Sequence, residues 1–300
     1  MYGFRFYKVS EHLLANLEMR INMCEQYENI ASAPVGVFDS GVGGLTVARE
    51  IMRQLPNEKI VYFGDTARVP YGSKSKETVL RYSRQIVRFL QTKGVKAIVV
   101  ACNTASALAL EDIRHETDMP MIGVVKPGAK VAADNTTNKR VGVIATEATV
   151  NSKIYTDYIK RQDGEITVIE KACPLFVPLV EEGWLKDSVT EEVARRYLEE
   201  LKTENIDSLV LGCTHYPLLR NMIGHIMGES VRLVNPAYET AVSLGELLDS
   251  KGIAAGNENR YASEMYDFYV SDAAEKFKRF ANSILPFRIE NIEQINIEEY

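Results

Sequence analysis

Two segments of the chain share an arrangement that constrains its fold. Residues 97–104 read Ala-Ile-Val-Val-Ala-Cys-Asn-Thr, and residues 208–215 read Ser-Leu-Val-Leu-Gly-Cys-Thr-His. Each is a short apolar run typical of a buried strand, and each run leads into a cysteine followed by polar residues. The two cysteines are 111 positions apart. Residues 34–40 and 140–146 are also similar, at an offset of 106 positions. The sequence therefore predicts two related halves.

Short buried runs alternate with helical stretches along the chain. Residues 35–38, 60–63, 97–101 and 120–125 are predicted strands, and Leu45 to Leu55 is a predicted helix. Such alternation is typical of parallel sheets. The predicted fold class is α/β, with two pseudo-symmetric lobes, each a mostly parallel sheet flanked by helices. Since ligands of open parallel sheets bind at the carboxyl ends of the strands, the active site is predicted in the cleft between the lobes.

This prediction divides the chain into three parts. Residues 1–33 are predicted to form a helical arm, residues 34–130 the first lobe and residues 131–239 the second lobe. The last stretch, from about 240 to 300, is predicted to return onto the first lobe.

Composition excludes several classes of function. The formal net charge is −6 and the chain lacks a basic run, which argues against nucleic acid as a primary ligand. No apolar stretch approaches the ~18 residues of a membrane-spanning helix, and we expect a cytoplasmic protein that does not bind membranes. The four cysteines form no C-x-x-C pair, so neither a disulfide framework nor a zinc pair is indicated.

Two matched thiols suit the inversion of a stereocentre. Such a reaction removes a proton from one face of a carbon and returns one to the other face. A thiolate is a usable base and a thiol a usable acid near neutral pH, because the free pKa is about 8.5. Cys102 and Cys213 are the predicted pair. Each is expected to open a helix, whose N-terminus favours a thiolate or a substrate carboxylate. This chemistry requires neither a cofactor nor a metal.

Polar residues beside the cysteines are candidate substrate ligands. Asn103, Thr104 and Thr214 could donate to a carboxylate, or could simply cap helices. Asp39 could orient or deprotonate Cys102, and His215 could assist Cys213. Either residue could instead be a cap or a satisfied polar group.

The glycine-rich turn Asp39-Ser-Gly-Val-Gly-Gly resembles a phosphate loop at first sight. It matches neither G-x-G-x-x-G nor the Walker pattern. A turn that lets a substrate approach the backbone closely remains the interpretation.

Three alternatives stay open at this point. A two-lobed binding module would not need two cysteines. A hydrolase or transferase could use Cys213 with His215 as a nucleophile pair, although residues two apart seldom place the base well. A metal site could involve Cys213, His215 and His225.

Five motifs, at 36–46, 62–72, 101–106, 173–181 and 211–218, give the chain a close resemblance to the glutamate racemases. These belong to the aspartate/glutamate racemase superfamily, whose members act without pyridoxal phosphate or metal. The resemblance covers roughly residues 34–250. Aspartate racemases usually lack the Asp-Ser-Gly-Val-Gly-Gly turn and the Cys-Thr-His-Tyr-Pro stretch, which favours glutamate as the substrate.

The resemblance implies specific roles. Cys102 and Cys213 would be the two proton donors and acceptors, assisted by Asp39, Glu181 and His215. The positions that match substrate-binding residues are Asp39, Ser40, Tyr71, Gly72, Asn103, Thr104, Thr214 and His215. Cys173 lies in a motif without a proton-transfer role and would be structural. The implied reaction converts L-glutamate to D-glutamate for peptidoglycan, and hence for cell-wall biogenesis and cell shape. A homodimer is expected on the same grounds.

Overall fold

The computed structural model describes residues 29–256 and 265–300. Its strands are β1 Val35–Asp39, β2 Ile60–Gly64, β3 Ala97–Val100, β4 Met121–Gly123, β5 Arg140–Ala145, β6 Thr167–Ala172, β7 Ser208–Gly212, β8 Arg232–Val234, β9 Tyr266–Val270 and β10 Glu293–Gln294. Its helices are α1 Leu45–Gln54, α2 Lys76–Thr92, α3 Asn103–Leu108, α4 Leu110–Arg114, α5 Val125–Asn135, α6 Glu147–Asn151, α7 Ile154–Gln162, α8 Phe176–Glu181, α9 Ser188–Thr203, α10 Arg220–Met227, α11 Pro236–Lys251 and α12 Ala274–Ile284.

The strands form two parallel sheets, which share a four-stranded topology. The first has the order β10-β9-β2-β1-β3-β4, and the second has the order β6-β5-β7-β8. β1 pairs with β2 and β3, as β5 pairs with β6 and β7. The run β2-β1-β3-β4 therefore repeats as β6-β5-β7-β8, which confirms the two pseudo-symmetric α/β lobes.

Helices cover both faces of each sheet, because the central strands are apolar on both sides. Every residue of β1, β3 and β7 is buried. In the first lobe, α1, α11 and α12 contribute to the core on one face and α2, α3 and α4 to the core on the other. In the second lobe, α8, α9 and α10 lie opposite α5 and α7.

The chain returns to the first lobe after β8. Helix α11 packs on α1, with Ala241, Leu244 and Leu248 in the core of the first lobe. β9 then adds to the first sheet beside β2, with Tyr266 opposite Ile60. The late segment of the chain therefore completes the sheet that carries Cys102.

The strand predicted at residues 120–125 is shorter than expected. β4 ends at Gly123, and helix α5 begins at Val125 with Pro127 in its first turn. A short apolar run does not separate a strand from the start of a buried helix, and proline is tolerated in a first helical turn.

Residues 1–28 of the predicted N-terminal arm, with Cys24, lie outside the described residues. Across residues 29–256 and 265–300, the helices all fall short of the length and apolarity that a bilayer crossing requires. The domain boundaries at residues 33, 130 and 239 stay a prediction.

Candidate active site

Cys102 follows β3 at the carboxyl edge of the first sheet and caps α3. The Ala105 amide donates to its Sγ at 3.5 Å, and the thiol donates to Ser40 Oγ at 3.7 Å. The residue is 5% exposed. The thiol is therefore held between the start of a helix and the turn that follows β1.

The helix N-terminus favours a thiolate at Cys102, as expected, but other groups outweigh it. Burial, and then the charge of Asp39, raise the pKa of Cys102 to about 12. The hydrogen bonds of Cys102 with Ala105 and Ser40 act in the opposite direction but are weaker. Because α3 has only six residues, its N-terminus offers limited compensation. Cys102 is therefore held as the neutral thiol.

Cys213 follows β7 at the corresponding edge of the second sheet and is 6% exposed. Its Sγ lies 3.8 Å from Nδ1 of His215. The other ring nitrogen, Nε2, lies 3.2 Å from Oε1 of Glu181, at the end of α8. A thiol, an imidazole and a carboxylate thus form one line of contacts.

His215 and Glu181 stabilise each other's charged form. Burial lowers the pKa of His215, but its contacts with Cys213 and Glu181 outweigh burial and raise the pKa to about 10. Burial raises the pKa of Glu181, but the hydrogen bond and charge of His215 lower it overall. The structure therefore favours an imidazolium between a carboxylate and the Cys213 sulfur.

Cys213 does not open an α-helix as predicted. A 3₁₀ turn, Tyr216–Leu219, follows it, and α10 begins only at Arg220. Pro217 lacks the amide that a regular helix would use, which accounts for the shorter turn. The positive charge beside Cys213 therefore belongs to the His215 imidazole, and a helix N-terminus does not supply it.

The argument that His215 would be badly placed beside Cys213 is also wrong, since the structure puts the two side chains in contact. The metal alternative gains no support. Within the described ranges, no three His, Cys, Asp or Glu side chains are grouped as metal ligands.

Asp39 ends β1 and is completely buried. Its Oδ2 accepts from the Gly41 amide at 3.0 Å, and its Oδ1 accepts from Thr214 Oγ1 at 3.4 Å. Burial raises the pKa of Asp39, while His215 and the amides of the turn lower it. The contact with Thr214 shows that Asp39 bridges to the second lobe. The hydrogen bonds of the Cys102 thiol involve Ser40 and Ala105 instead.

The glycine-rich turn brings the two lobes into contact. A Cβ at Gly43 would lie 2.3 Å from Thr214 Oγ1 and 2.6 Å from the ring of His215. Beside it, Thr46 Oγ1 donates to the Thr214 carbonyl at 3.0 Å. The turn therefore lets residues of the second lobe approach the backbone of the first lobe closely.

The predicted substrate residues of the first lobe contact the second lobe. The Tyr155 hydroxyl donates to Asn103 Oδ1 at 2.6 Å. Thr104 Oγ1 lies 3.0 Å from Thr146 Oγ1. A Cβ at Gly72 would lie 2.6 Å from the Thr146 side chain. These contacts place Asn103, Thr104 and Gly72 at the boundary between the lobes.

Three residues of this boundary were not identified from the sequence: Thr146, Thr149 and Tyr155. The hydroxyls of Thr146 and Thr149 lie within 3.0 and 3.3 Å of Thr104 Oγ1. A signal for Thr146 was present, because the internal repeat pairs residues 34–40 with 140–146 and so matches Ser40 with Thr146. Tyr155 lies outside the two repeated segments.

Comparisons with known proteins show the family of the chain. The sequence model of the Asp/Glu/hydantoin racemase family matches residues 35–244. A glutamate racemase of Geobacter metallireducens is 49% identical over 266 residues, which cover 88% of this chain and 97% of the relative.

Two crystal structures are similar to the chain. A glutamate racemase of Bacillus anthracis is 39% identical, with a TM-score of 0.84 over 88% of this chain and 97% of the other. A glutamate racemase of Francisella tularensis, solved in complex with D-glutamate, is 38% identical, with a TM-score of 0.83 over 90% and 100% of the two chains. The chain therefore belongs to the Asp/Glu/hydantoin racemase family, within which it groups with the glutamate racemases, and it is an amino-acid racemase.

Proposed function

We propose that the chain interconverts L-glutamate and D-glutamate by proton transfer at Cα, with Cys102 and Cys213 as the two bases. The observation that carries the proposal is the equivalent placement of the two thiols. One follows β3 and the other follows β7, which occupy the same position in the two lobes. The charge of Cys213 also contributes to the raised pKa of Cys102, after burial and Asp39, so the two sulfurs influence each other.

The two thiols begin in different protonation states in this mechanism. We assign the initial negative charge to Cys213, whose sulfur lies beside the His215 imidazole held by Glu181, because burial and Asp39 raise the pKa of Cys102. The Cys213 thiolate takes the Cα proton of one enantiomer, and the Cys102 thiol gives its proton to the opposite face. The reverse reaction starts from the exchanged protonation state. One proton passes from Cα to Cys213 and one from Cys102 to Cα, so the two thiols exchange protonation states and the net charge does not change.

The residues around the thiols are proposed substrate ligands. Asn103, Thr104 and Thr214 carry hydroxyl or amide donors for carboxylates, and Asp39 offers a carboxylate for the ammonium group. The proposed substrate ligands also include Ser40, Tyr71, Gly72 and His215. The names of the relatives and the D-glutamate in the Francisella tularensis structure support glutamate over aspartate.

Substrate access requires movement of the lobes. Both thiols are nearly buried, so an amino acid can lie between them only after the lobes separate. A surface pocket of about 410 Å³ lies beside the site and includes Gly41 of the first lobe and Glu181 of the second. We take this pocket as the outer part of the access route.

The cellular setting is part of the proposal. By resemblance, the product is D-glutamate for peptidoglycan, made in the cytoplasm by a homodimer, without pyridoxal phosphate or a metal. We also propose the domain boundaries at residues 33, 130 and 239, with the segment from about 240 returning to the first lobe.

The direct test is formation of D-glutamate from L-glutamate by the purified protein with no added cofactor, measured by chiral chromatography. L-aspartate serves as the matched control substrate. The proposal expects D-glutamate and little or no D-aspartate. Product from aspartate alone would overturn the substrate assignment. No product from either, or a trapped acyl-enzyme at Cys213, would overturn the racemase mechanism.

A further inference from the structure

A continuous line of polar contacts connects the segment 293–300 to Tyr71, which lies in the 3₁₀ turn Tyr71–Ser73. Tyr71 is buried, and its hydroxyl donates to Asp65 Oδ2. The sequence motif that contains Tyr71 also contains Asp65 and Arg68. Their roles are not accounted for by proton transfer.

Asp65 is a buried carboxylate whose position depends on its partners. Arg68 Nε donates to both of its oxygens, at 2.8 and 3.0 Å, and Ser271 Oγ donates at 2.8 Å. With the Tyr71 hydroxyl, these donors use the accepting capacity of the carboxylate. Since a buried charge is costly without its counter-ion, Arg68 stabilises Asp65 in the position where it accepts from the Tyr71 hydroxyl.

Arg68 is held in turn by residues that lie far away in the chain. Its Nη1 donates to Gln85 Oε1 at 2.6 Å and to Glu298 Oε1 at 3.0 Å. Gln85 Nε2 donates to the second oxygen of Glu298 at 3.1 Å. The guanidinium lies over the ring of Tyr82, 4.0 Å from its centroid. Glu298 is therefore a charged acceptor that fixes the outer end of the Arg68 side chain.

The segment that carries Glu298 is itself fixed to the first lobe. Ile297 is buried in the apolar core beside α2. The ring of Tyr300 packs on Phe89 with centroids 5.3 Å apart, and Arg88 donates to the Tyr300 carbonyl at 2.8 Å. Glu298 is thus presented to Arg68 from a defined position, although its side chain is 65% exposed.

We propose that Glu298 is a positioning residue for substrate binding, acting through Arg68 and Asp65 on Tyr71. The inference rests on the proposed function, in which Tyr71 and Gly72 contact the substrate. Loss of Glu298 frees the outer end of Arg68, loosens the hydrogen bond between Asp65 and Tyr71, and weakens binding of glutamate. Proton transfer between Cα and the two cysteines does not involve this line of contacts.

The test compares Glu298→Ala with Glu298→Gln, which keeps an acceptor oxygen, and with Glu293→Ala, an exposed glutamate of the same segment. Glu298→Ala is expected to raise the KM for glutamate about fivefold with kcat within about twofold of wild type. Glu298→Gln should give an intermediate KM, and Glu293→Ala should match wild type. Because exposed ion pairs contribute little to stability, unfolding temperatures should agree within about 2 °C.

Two results would overturn the positioning role while the proposed function stands. One is a KM for Glu298→Ala equal to that of Glu293→Ala in an active enzyme. The other is a parallel loss of kcat and unfolding temperature in Glu298→Ala, which marks a purely structural contact. A wild-type protein that does not racemise glutamate would instead overturn the proposed function, and the positioning role with it.

Discussion

The sulfur of Cys213 and Nδ1 of His215 lie 3.8 Å apart in a buried site, although the residues are only two positions apart in the chain. The turn after β7 makes this possible, because it directs both side chains into the same space. Glu181 completes the arrangement on the other side of the imidazole, at 3.2 Å. One thiol is therefore paired with a cation, while Cys102 has no such partner among the residues described here and is held neutral.

This arrangement predicts a pH dependence of stability. The folded-state pKa of His215 is about 10, above its ordinary value of about 6.5. Folding therefore favours the protonated ring, and this stabilisation is complete below about pH 6.5 and lost as the pH rises towards 10. We expect the unfolding temperature to fall by several degrees over this window, as followed by circular dichroism.

The Glu181→Gln variant provides the comparison for this pH series. It removes a charge that raises the pKa of His215, so its unfolding temperature should vary less between pH 6.5 and 10. Glu182→Gln is the matched control, because Glu182 is exposed and pairs with Lys276 instead. Parallel curves for Glu181→Gln and Glu182→Gln would contradict this account of His215.

Tyr155→Phe tests the contact between the lobes at Asn103. The variant removes the 2.6 Å hydrogen bond that fixes Asn103 Oδ1 and thereby orients the amide. We expect the KM for glutamate to rise about three- to tenfold, with a loss of about 1 kcal/mol in the free energy of unfolding. Tyr158→Phe, on the same helix with a longer and more exposed contact to Glu111, should match wild type in steady-state kinetics. Equal KM values for the two variants would show that Tyr155 does not orient Asn103.

Gly43→Ala tests the close approach of the glycine-rich turn to the second lobe. The new methyl group would lie 2.3 Å from Thr214 Oγ1 and 2.6 Å from His215, so one of these groups must move. We expect kcat/KM to fall at least about a hundredfold, with a loss of about 1–3 kcal/mol in unfolding free energy. Gly224→Ala on α10 is the control, since its methyl group would meet Leu233 at 3.5 Å, an ordinary contact. Wild-type kinetics in Gly43→Ala would mean that the lobes do not need this contact.

The sequence predicted the architecture because its main features are local and repeated. Apolar runs of four or five residues, each followed by a cysteine, identified β3 and β7 and their equivalence. The return of the last stretch, from about residue 240, onto the first lobe was also predicted, whereas the order of the strands within each sheet was not. The start of α5 was missed because Val124 and Val125 continue the apolar run of β4.

The site was predicted less completely, because side-chain contacts between the lobes leave little trace in one sequence. The resemblance to a family was needed to single out Glu181, and the spacing rule for Cys213 and His215 was wrong. The protonation of Cys102 could not be read from its place before a helix. Burial and the neighbouring Asp39 outweigh the short helix, and both depend on the folded structure.

The central claim is that two thiols act on opposite faces of one carbon. The most direct measurement follows L-glutamate with the enzyme in deuterated water, with the two enantiomers separated and their Cα deuterium measured at early times. The account predicts deuterium in D-glutamate while the remaining L-glutamate keeps its proton. It also predicts that Cys102→Ser and Cys213→Ser each reduce racemisation at least about a thousandfold. Deuterium entering unreacted L-glutamate as fast as D-glutamate forms, or a wild-type rate in either variant, would contradict the two-base mechanism.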